Sequence, residues 1–302
     1  MGKMLYENMD GLLGNTPMVT LNRLPEIGGA SIHAKLDYYN PGRSVKDRIA
    51  WNMIRDAENR GLLKPGGKII EPTSGNTSVS LTIFGRRMGY EVTIVMPDTD
   101  NVGLQKELKM LGAKLDLTPP DEGLRGARER VQKLCKRNSD YFYPDQFNNS
   151  SNPEIHRNKT AREILKAMGT NVIDVFVAAV GTGGTITGVG EVLKAKNPNI
   201  KIIAVEPSES PVLSGGKPGV HSITGIGAGF IPPILNMDII DSVECVSTSE
   251  ARLMSESIRR EEGLLAGISS GAVLTAATRV AGGMKKNKNV VVFFADAMPG
   301  VC

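Results

Sequence analysis

Between residues 44 and 60 the apolar side chains Val45, Ile49, Met53 and Ala57 recur at four-residue spacing. That spacing predicts a helix with one buried face, and Gly61 can end it. Lys68-Ile69-Ile70-Glu71 then reads as a short strand running into the turn Thr73-Ser74-Gly75-Asn76-Thr77. A helix is expected over 77–88, a buried strand over 91–96, a helix over 103–111 and a strand over 114–117. A second series starts near Asn152, with a helix over 153–168, a strongly apolar strand over 172–180, a helix over 185–196 and a strand over 200–205. Residues 206–247 are rich in Pro and Gly and read as an extended connection. Helices over 249–262 and 270–284 and a strand over 290–294 complete the pattern.

Alternating strands and helices joined by short connections imply an α/β protein with largely parallel sheets covered by helices. A chain of 302 residues has room for two such domains, and the two series meet near residue 150. In folds of this kind ligands sit beyond the carboxyl ends of strands, which is where the unusual loops of this chain fall.

Composition narrows the function classes. A net charge of +4 is spread along the chain without a long basic block, which argues against nucleic acid as a partner. The one cluster, Arg125, Arg128, Arg130, Lys133, Lys136 and Arg137, lies in a helix-like stretch and reads as a solvated helix face. Cys135, Cys245 and Cys302 are odd in number and lack C-x-x-C spacing, against both zinc and a disulfide framework, so no metal is expected. The first residues lack the apolar core of a signal peptide, and no apolar run approaches the roughly 20 residues of a membrane helix. The expectation is a cytoplasmic protein without a membrane partner.

Four segments carry candidate chemistry. Gly181-Thr182-Gly183-Gly184-Thr185 follows the apolar strand and opens a helix, so its amides and hydroxyls can cradle a phosphate. It matches neither a P-loop nor a G-x-G-x-x-G fingerprint. Pro72-Thr73-Ser74-Gly75-Asn76-Thr77 offers small hydroxyls and amides at a helix start, a natural carboxylate receptor. The structural alternative is capping by Ser74 or Thr77. Lys46 sits one turn into its predicted helix, beside Val45 and Ile49. A solvated charge is the plain alternative, whereas partial burial would favour the free amine of a Schiff-base lysine. Ser269 and Ser270 precede a helix, and capping accounts for them as well as function does. His33, His156 and His221 are scattered and read as structural or surface residues.

In this order the segments resemble the cysteine synthase (O-acetylserine sulfhydrylase) family and its relative cystathionine β-synthase. The resemblance runs from Leu13-Gly14-Asn15-Thr16-Pro17 through Asn40–Arg48, Glu71–Thr77, Gln146-Phe147, Asn152-Pro153-Glu154-Ile155-His156, Gly181–Thr185, Thr224–Phe230 and Glu261–Gly271. It implies a fold-type II pyridoxal-phosphate enzyme, similar to the tryptophan synthase β chain. Such an enzyme has two three-layer α/β domains with twisted sheets and the cofactor, pyridoxal 5′-phosphate, in the crevice between them. Residues 46–150 would form the smaller, mobile domain with the substrate carboxylate loop, and 1–45 plus 151–302 the larger domain with the phosphate loop. By resemblance Lys46 is the Schiff-base lysine and catalytic base, and Asn76 bonds the cofactor's ring hydroxyl. Thr73, Ser74, Thr77 and Gln146 grip the substrate carboxylate, Gly181 to Thr185 bind the phosphate, Gly225 lies near the substrate amine, and Ser269 meets the pyridine nitrogen. A homodimer and a partnership with serine acetyltransferase are implied in the same way.

The implied reaction is β-replacement through an α-aminoacrylate intermediate, with O-acetylserine and sulfide giving cysteine. A neutral hydroxyl at the pyridine nitrogen makes a weaker electron sink than a carboxylate, which suits β-elimination. The alternatives are a cysteine-consuming replacement or lyase that releases hydrogen sulfide, a serine or threonine dehydratase, and a non-catalytic binding partner. The chain departs from the family at Ser78, at Asp98 to Gly103 and after Ala295. Asp100 stands where the family has an uncharged residue. It is expected either to cap the helix near Gly103 or to attract the ammonium of a second amino-acid substrate.

Overall fold

The computed structural model describes residues 5–24, 29–98 and 101–298. In chain order the strands are β1 (Met18–Thr20), β2 (Ser31–Leu36), β3 (Lys68–Pro72), β4 (Glu91–Pro97), β5 (Lys114–Thr118), β6 (Tyr141–Phe142), β7 (Val175–Ala179), β8 (Lys201–Pro207), β9 (Ser242–Val246) and β10 (Asn289–Phe294). The α-helices are α1 (Lys46–Asn59), α2 (Asn76–Arg87), α3 (Val102–Met110), α4 (Gly123–Arg137), α5 (Ser151–Ile155), α6 (Ala161–Met168), α7 (Gly184–Lys196), α8 (Thr248–Glu262) and α9 (Ile268–Gly282). The chain divides into two compact units, Lys46–Ser151 and Met1–Val45 with Asn152–Cys302.

The unit 46–151 holds a four-stranded, all-parallel sheet in the order β5-β4-β3-β6. Successive residues of a strand face opposite sides. Thus Ile70 and Val95 pack with Ala127 and Val131 of α4, while Ile69 and Val92 turn toward α1 and α2. Gly85 lets α2 lie close to the sheet, since a Cβ there would stand 2.6 Å from Val92 Cγ2 and 3.2 Å from Ile69 Cδ1. Each fully buried Ile contributes about 1.5–3 kcal/mol relative to an exposed one. The basic stretch forms α4 as the solvated-face reading expects: Gly126, Ala127 and Val131 are buried, and Arg125, Arg130, Lys133, Lys136 and Arg137 are exposed.

The second unit has a six-stranded sheet in the order β1-β2-β10-β7-β8-β9, parallel except for the β1–β2 pair. Val290 and Val292 of β10 pack with Ala251, Ile258, Ala272 and Ala276 from α8 and α9. Val291 and Phe293 pack with Ile164, Ile186, Val189 and Leu193 from α6 and α7. Helices therefore cover both faces, giving three layers.

Several elements differ from the sequence reading. Val45 is not helical: its N–H bonds Ala295 O at 2.7 Å and its side chain joins the larger unit's core, so α1 begins at Lys46 rather than at 44. Residues 206–247 are not connection throughout, because β9 forms on the sheet edge with only Val246 buried, and so shows no apolar run. β2 escaped notice because buried Lys35 interrupts its apolar pattern; its ammonium pairs with Glu163 at 2.7 Å. The helix over 153–168 is broken by a π-turn at His156–Thr160.

Candidate active site

The end of β3 delivers the first loop. Thr73 extends the β3–β4 ladder by donating its N–H to Val95 O at 3.0 Å, and its side chain is buried. Ser74 is exposed, Asn76 half-buried and Thr77 buried. The N-cap of α2 is Gly75, and no side chain caps the helix. Capping therefore does not account for Ser74 or Thr77. Instead the Thr77 hydroxyl donates to Gln146 Oε1 at 2.8 Å, which joins two of the expected carboxylate-binding residues. Ser78 returns to the same turn, with its hydroxyl on Gly75 O at 2.6 Å.

Gln146 is held by a residue the sequence reading gave no role of its own. Glu71, 1% exposed, accepts the amides of Asp145 at 3.0 Å and Gln146 at 3.2 Å. Burial pushes its carboxyl up to about 8, against the pull of those two amides and of Arg128. Asp145 has a φ of 47° and would be strained in a free turn; the Glu71 bond and the Asn148 amide on its own carboxylate, 2.7 Å away, hold it there. A carboxylate ending an apolar strand was the available signal. Lys46 is half-buried and opens α1, next to Asp47, whose buried carboxylate accepts the Ser80 hydroxyl at 2.6 Å.

In the larger unit the glycine loop lies between β7 and α7, and three of its glycines admit no side chain. A Cβ on Gly181 would meet Gly225 O at 2.3 Å, one on Gly183 would meet Leu235 Cβ at 2.9 Å, and one on Gly184 would meet Asn152 Oδ1 at 1.9 Å. Gly183 also has a φ of 86°, open to glycine at no steric cost. No side chain caps α7. Asn152 donates to the Thr182 hydroxyl at 3.0 Å, and buried His156 reaches Thr185 Oγ1 at 3.3 Å and Thr160 Oγ1 at 3.0 Å. The histidine is thus structural, as read, but it braces this loop from the π-turn, a geometry frequent at functional sites. Gly225 lies against the same loop, tied there by Gly227 N–H on Val180 O at 3.0 Å.

The third loop opens α9. Its N-cap is Gly267, again without a side-chain cap, so neither Ser269 nor Ser270 caps the helix. Ser269, 3% exposed, donates to Asp296 Oδ1 at 3.0 Å. Asp296 follows β10 and is fixed by backbone pairing on two sides: it bridges Ser44, and its carbonyl accepts Gly267 N–H at 2.9 Å. Asp100 lies outside the described residues; among those described, Asn101 caps α3 by accepting Leu104 N–H at 3.2 Å.

Against known proteins, residues 9–296 match the family model described as pyridoxal-phosphate dependent enzyme. The chain is 47% identical over 285 residues to a cysteine synthase of Staphylococcus aureus, covering 94% of this chain and 92% of the relative. Among solved structures it is similar to a cysteine synthase of Entamoeba histolytica, with a TM-score of 0.94 and 42% identity, covering 98% of this chain and 89% of the other. It is also similar to a hydrogen sulfide-producing enzyme of Fusobacterium nucleatum, with a TM-score of 0.93 and 38% identity over 98% of both chains.

Proposed function

The chain belongs to the pyridoxal-phosphate dependent enzymes, and within that family we propose that it is a cysteine synthase. It would replace the β-substituent of O-acetylserine, or of a related serine derivative, by sulfide. One observation carries the reading. Three helices with hydroxyl residues in the first turn, α2, α7 and α9, have glycine at the N-cap and no side-chain cap. Helix α8 shows what this chain does where it caps: Ser247 and Glu250 form a complete capping box. First-turn amides without a side-chain cap are positively polarised and suit anionic ligands.

Pyridoxal phosphate fits the residues present. The cradle formed by Gly181, Gly183 and Gly184 would be filled by any Cβ, and its amides and the Thr182 and Thr185 hydroxyls match a phosphate. When bound, the cofactor withdraws electrons from the Cα of an attached amino acid, so that the α-proton becomes removable and the β-substituent can leave. Lys46 would hold the cofactor's aldehyde carbon through Nζ and then take the α-proton. Asn76 would bond the ring hydroxyl and Ser269 the ring nitrogen. Thr73, Ser74, Thr77 and the first amides of α2 would hold the substrate carboxylate, with Gln146 kept in place by Glu71. Gly225, with a φ of 86°, would leave room for the substrate amine.

The second reading, consumption of cysteine with release of sulfide, is favoured by the likeness to the Fusobacterium nucleatum enzyme. One experiment separates the two. The protein is incubated with O-acetylserine, O-phosphoserine, serine and cysteine in turn, with sulfide added or assayed. Cysteine formation from O-acetylserine, lost in Lys46→Ala, supports the synthase; sulfide release from cysteine alone overturns it. A cytoplasmic homodimer that docks the carboxyl-terminal tail of serine acetyltransferase is part of the same proposal, and rests on the family resemblance. Light scattering and titration with the tail peptide test it.

A further inference from the structure

We propose that Ser78 is a positioning residue for the substrate carboxylate, its hydroxyl fixing the turn from Ser74 to Thr77 so that the receptor is formed before the amino acid arrives. The inference rests on the carboxylate reading of that turn given above. Ser78 stands at one of the positions where the chain departs from its family. It lies in the first turn of α2 and is fully buried. Gly75 O accepts two bonds from it, one from the amide at 2.9 Å and one from the hydroxyl at 2.6 Å. The N-cap carbonyl of a helix ordinarily accepts the first intrahelical amide. The hydroxyl bond is an addition by this side chain, and the carbonyl has two lone pairs to receive both donors. Ser78 is itself held, because its carbonyl accepts the Thr82 hydroxyl at 2.7 Å.

The turn has a use for such a bond. Gly75 is the N-cap of α2, no side chain caps the helix, and nothing stands within 4 Å of the place a Cβ on Gly75 would take. A glycine in open space keeps more backbone freedom than any other residue. An N-cap side chain would restrict the turn by accepting a first-turn amide, which is the group an anionic ligand needs. Ser78 acts from the other side: it donates to a carbonyl and takes none of the amides. The turn is then held at both ends, by Thr73 N–H on Val95 O at 3.0 Å and by Ser78 on Gly75 O, with Ser74 exposed between them. Thr77, the neighbour of Ser78, directs its own hydroxyl to Gln146 Oε1 at 2.8 Å and so ties the turn to the second wall of the receptor. Ordering a loop on binding subtracts from affinity, and a bond already made in the free protein reduces that cost.

The test uses the holoenzyme and L-alanine, an amino acid without a β-substituent that can leave, titrated against the absorbance of the bound cofactor. Ser78→Ala removes the hydroxyl, keeps the Cβ and is a stronger helix former. It should weaken L-alanine binding roughly two- to tenfold, the range one net hydrogen bond spans. The dissociation constant of pyridoxal phosphate should not change, and amide exchange at Asn76 and Thr77 should quicken in the substrate-free variant. Ser78→Gly, which also loosens the backbone, should weaken L-alanine binding at least as much. A merely structural role for Ser78 would lower both affinities together. L-alanine affinity unchanged in both variants, or an equal loss for L-alanine and cofactor, overturns the inference and leaves the functional reading standing. Failure of the wild type to bind L-alanine more tightly than L-alaninamide overturns the carboxylate reading and the inference with it.

Discussion

Replacing Glu71 by Gln should remove a loss of stability that the wild-type protein suffers as pH rises. Glu71 is buried at the end of β3, and its two oxygens receive the Asp145 and Gln146 amides. Burial holds its pKa at about 8, where an ordinary glutamate titrates at 4.5. Between those values the folded protein keeps a proton that the unfolded chain has released. The sign follows: the contribution of this group is fully present below 4.5, is lost progressively as pH rises to about 8, and changes no further above that. At about 1.36 kcal/mol per pKa unit the whole interval amounts to on the order of 5 kcal/mol. Gln is the neutral isostere. It keeps one carbonyl acceptor for two amides, so near pH 5 the variant should be less stable than wild type by about 1 kcal/mol. Near pH 9 the order should reverse, because the wild type then carries a charge in an apolar site, at a cost of roughly several kcal/mol. Urea midpoints of both proteins across this range measure the effect, and amide exchange at Asp145 and Gln146 reports it locally. Parallel stability curves for the two proteins would refute the reasoning and place the titration elsewhere.

Three further perturbations separate binding from folding. Gly184→Ala sets a Cβ 1.9 Å from Asn152 Oδ1; the overpacking should cost about 1–3 kcal/mol and weaken cofactor binding at equilibrium dialysis, with the Thr182 bond disturbed. Thr77→Val removes the 2.8 Å hydrogen bond to Gln146 Oε1, a loss of about 0.5–1.5 kcal/mol. It should raise KM for the amino-acid substrate while cofactor affinity holds; equal losses in both would contradict the carboxylate assignment. Ser247→Ala removes the α8 capping box and should lower stability by about 1 kcal/mol with kcat and KM unchanged.

The parallel α/β architecture was legible because buried strands of such sheets are apolar on both faces, as in β4 and β7, and because the loops after β3 and β7 depart from ordinary composition. Family membership followed from those loops. What escaped has a physical reason in each case. β9 is an edge strand with little burial, and β2 hides a lysine whose charge is neutralised by a residue over a hundred positions away. Glu71 sits in a strand, where a lone carboxylate reads as an interruption until its two amide partners are seen. Asp296 falls in the segment where the chain departs from its family, so resemblance could not assign it. The capping explanations for Ser74, Thr77, Ser269 and Ser270 were sound by composition and fail on geometry, because a glycine takes the N-cap in both helices.

Lys46 shows how a small error of register changes the chemistry. Periodicity placed it one turn inside a helix, on the edge of an apolar face, where burial alone would have to disfavour its charge. In the structure Val45 gives its N–H to Ala295 O at 2.7 Å, Ser44 bridges Asp296, and the helix starts at Lys46 itself. Lys46 is half-buried and lies in the first turn, at the positive end of the helix dipole. The backbone pairing of 43–45 with 295–297 therefore has two outcomes: it fixes the start of the helix that carries the lysine, and it sets the Asp296 carboxylate against Ser269.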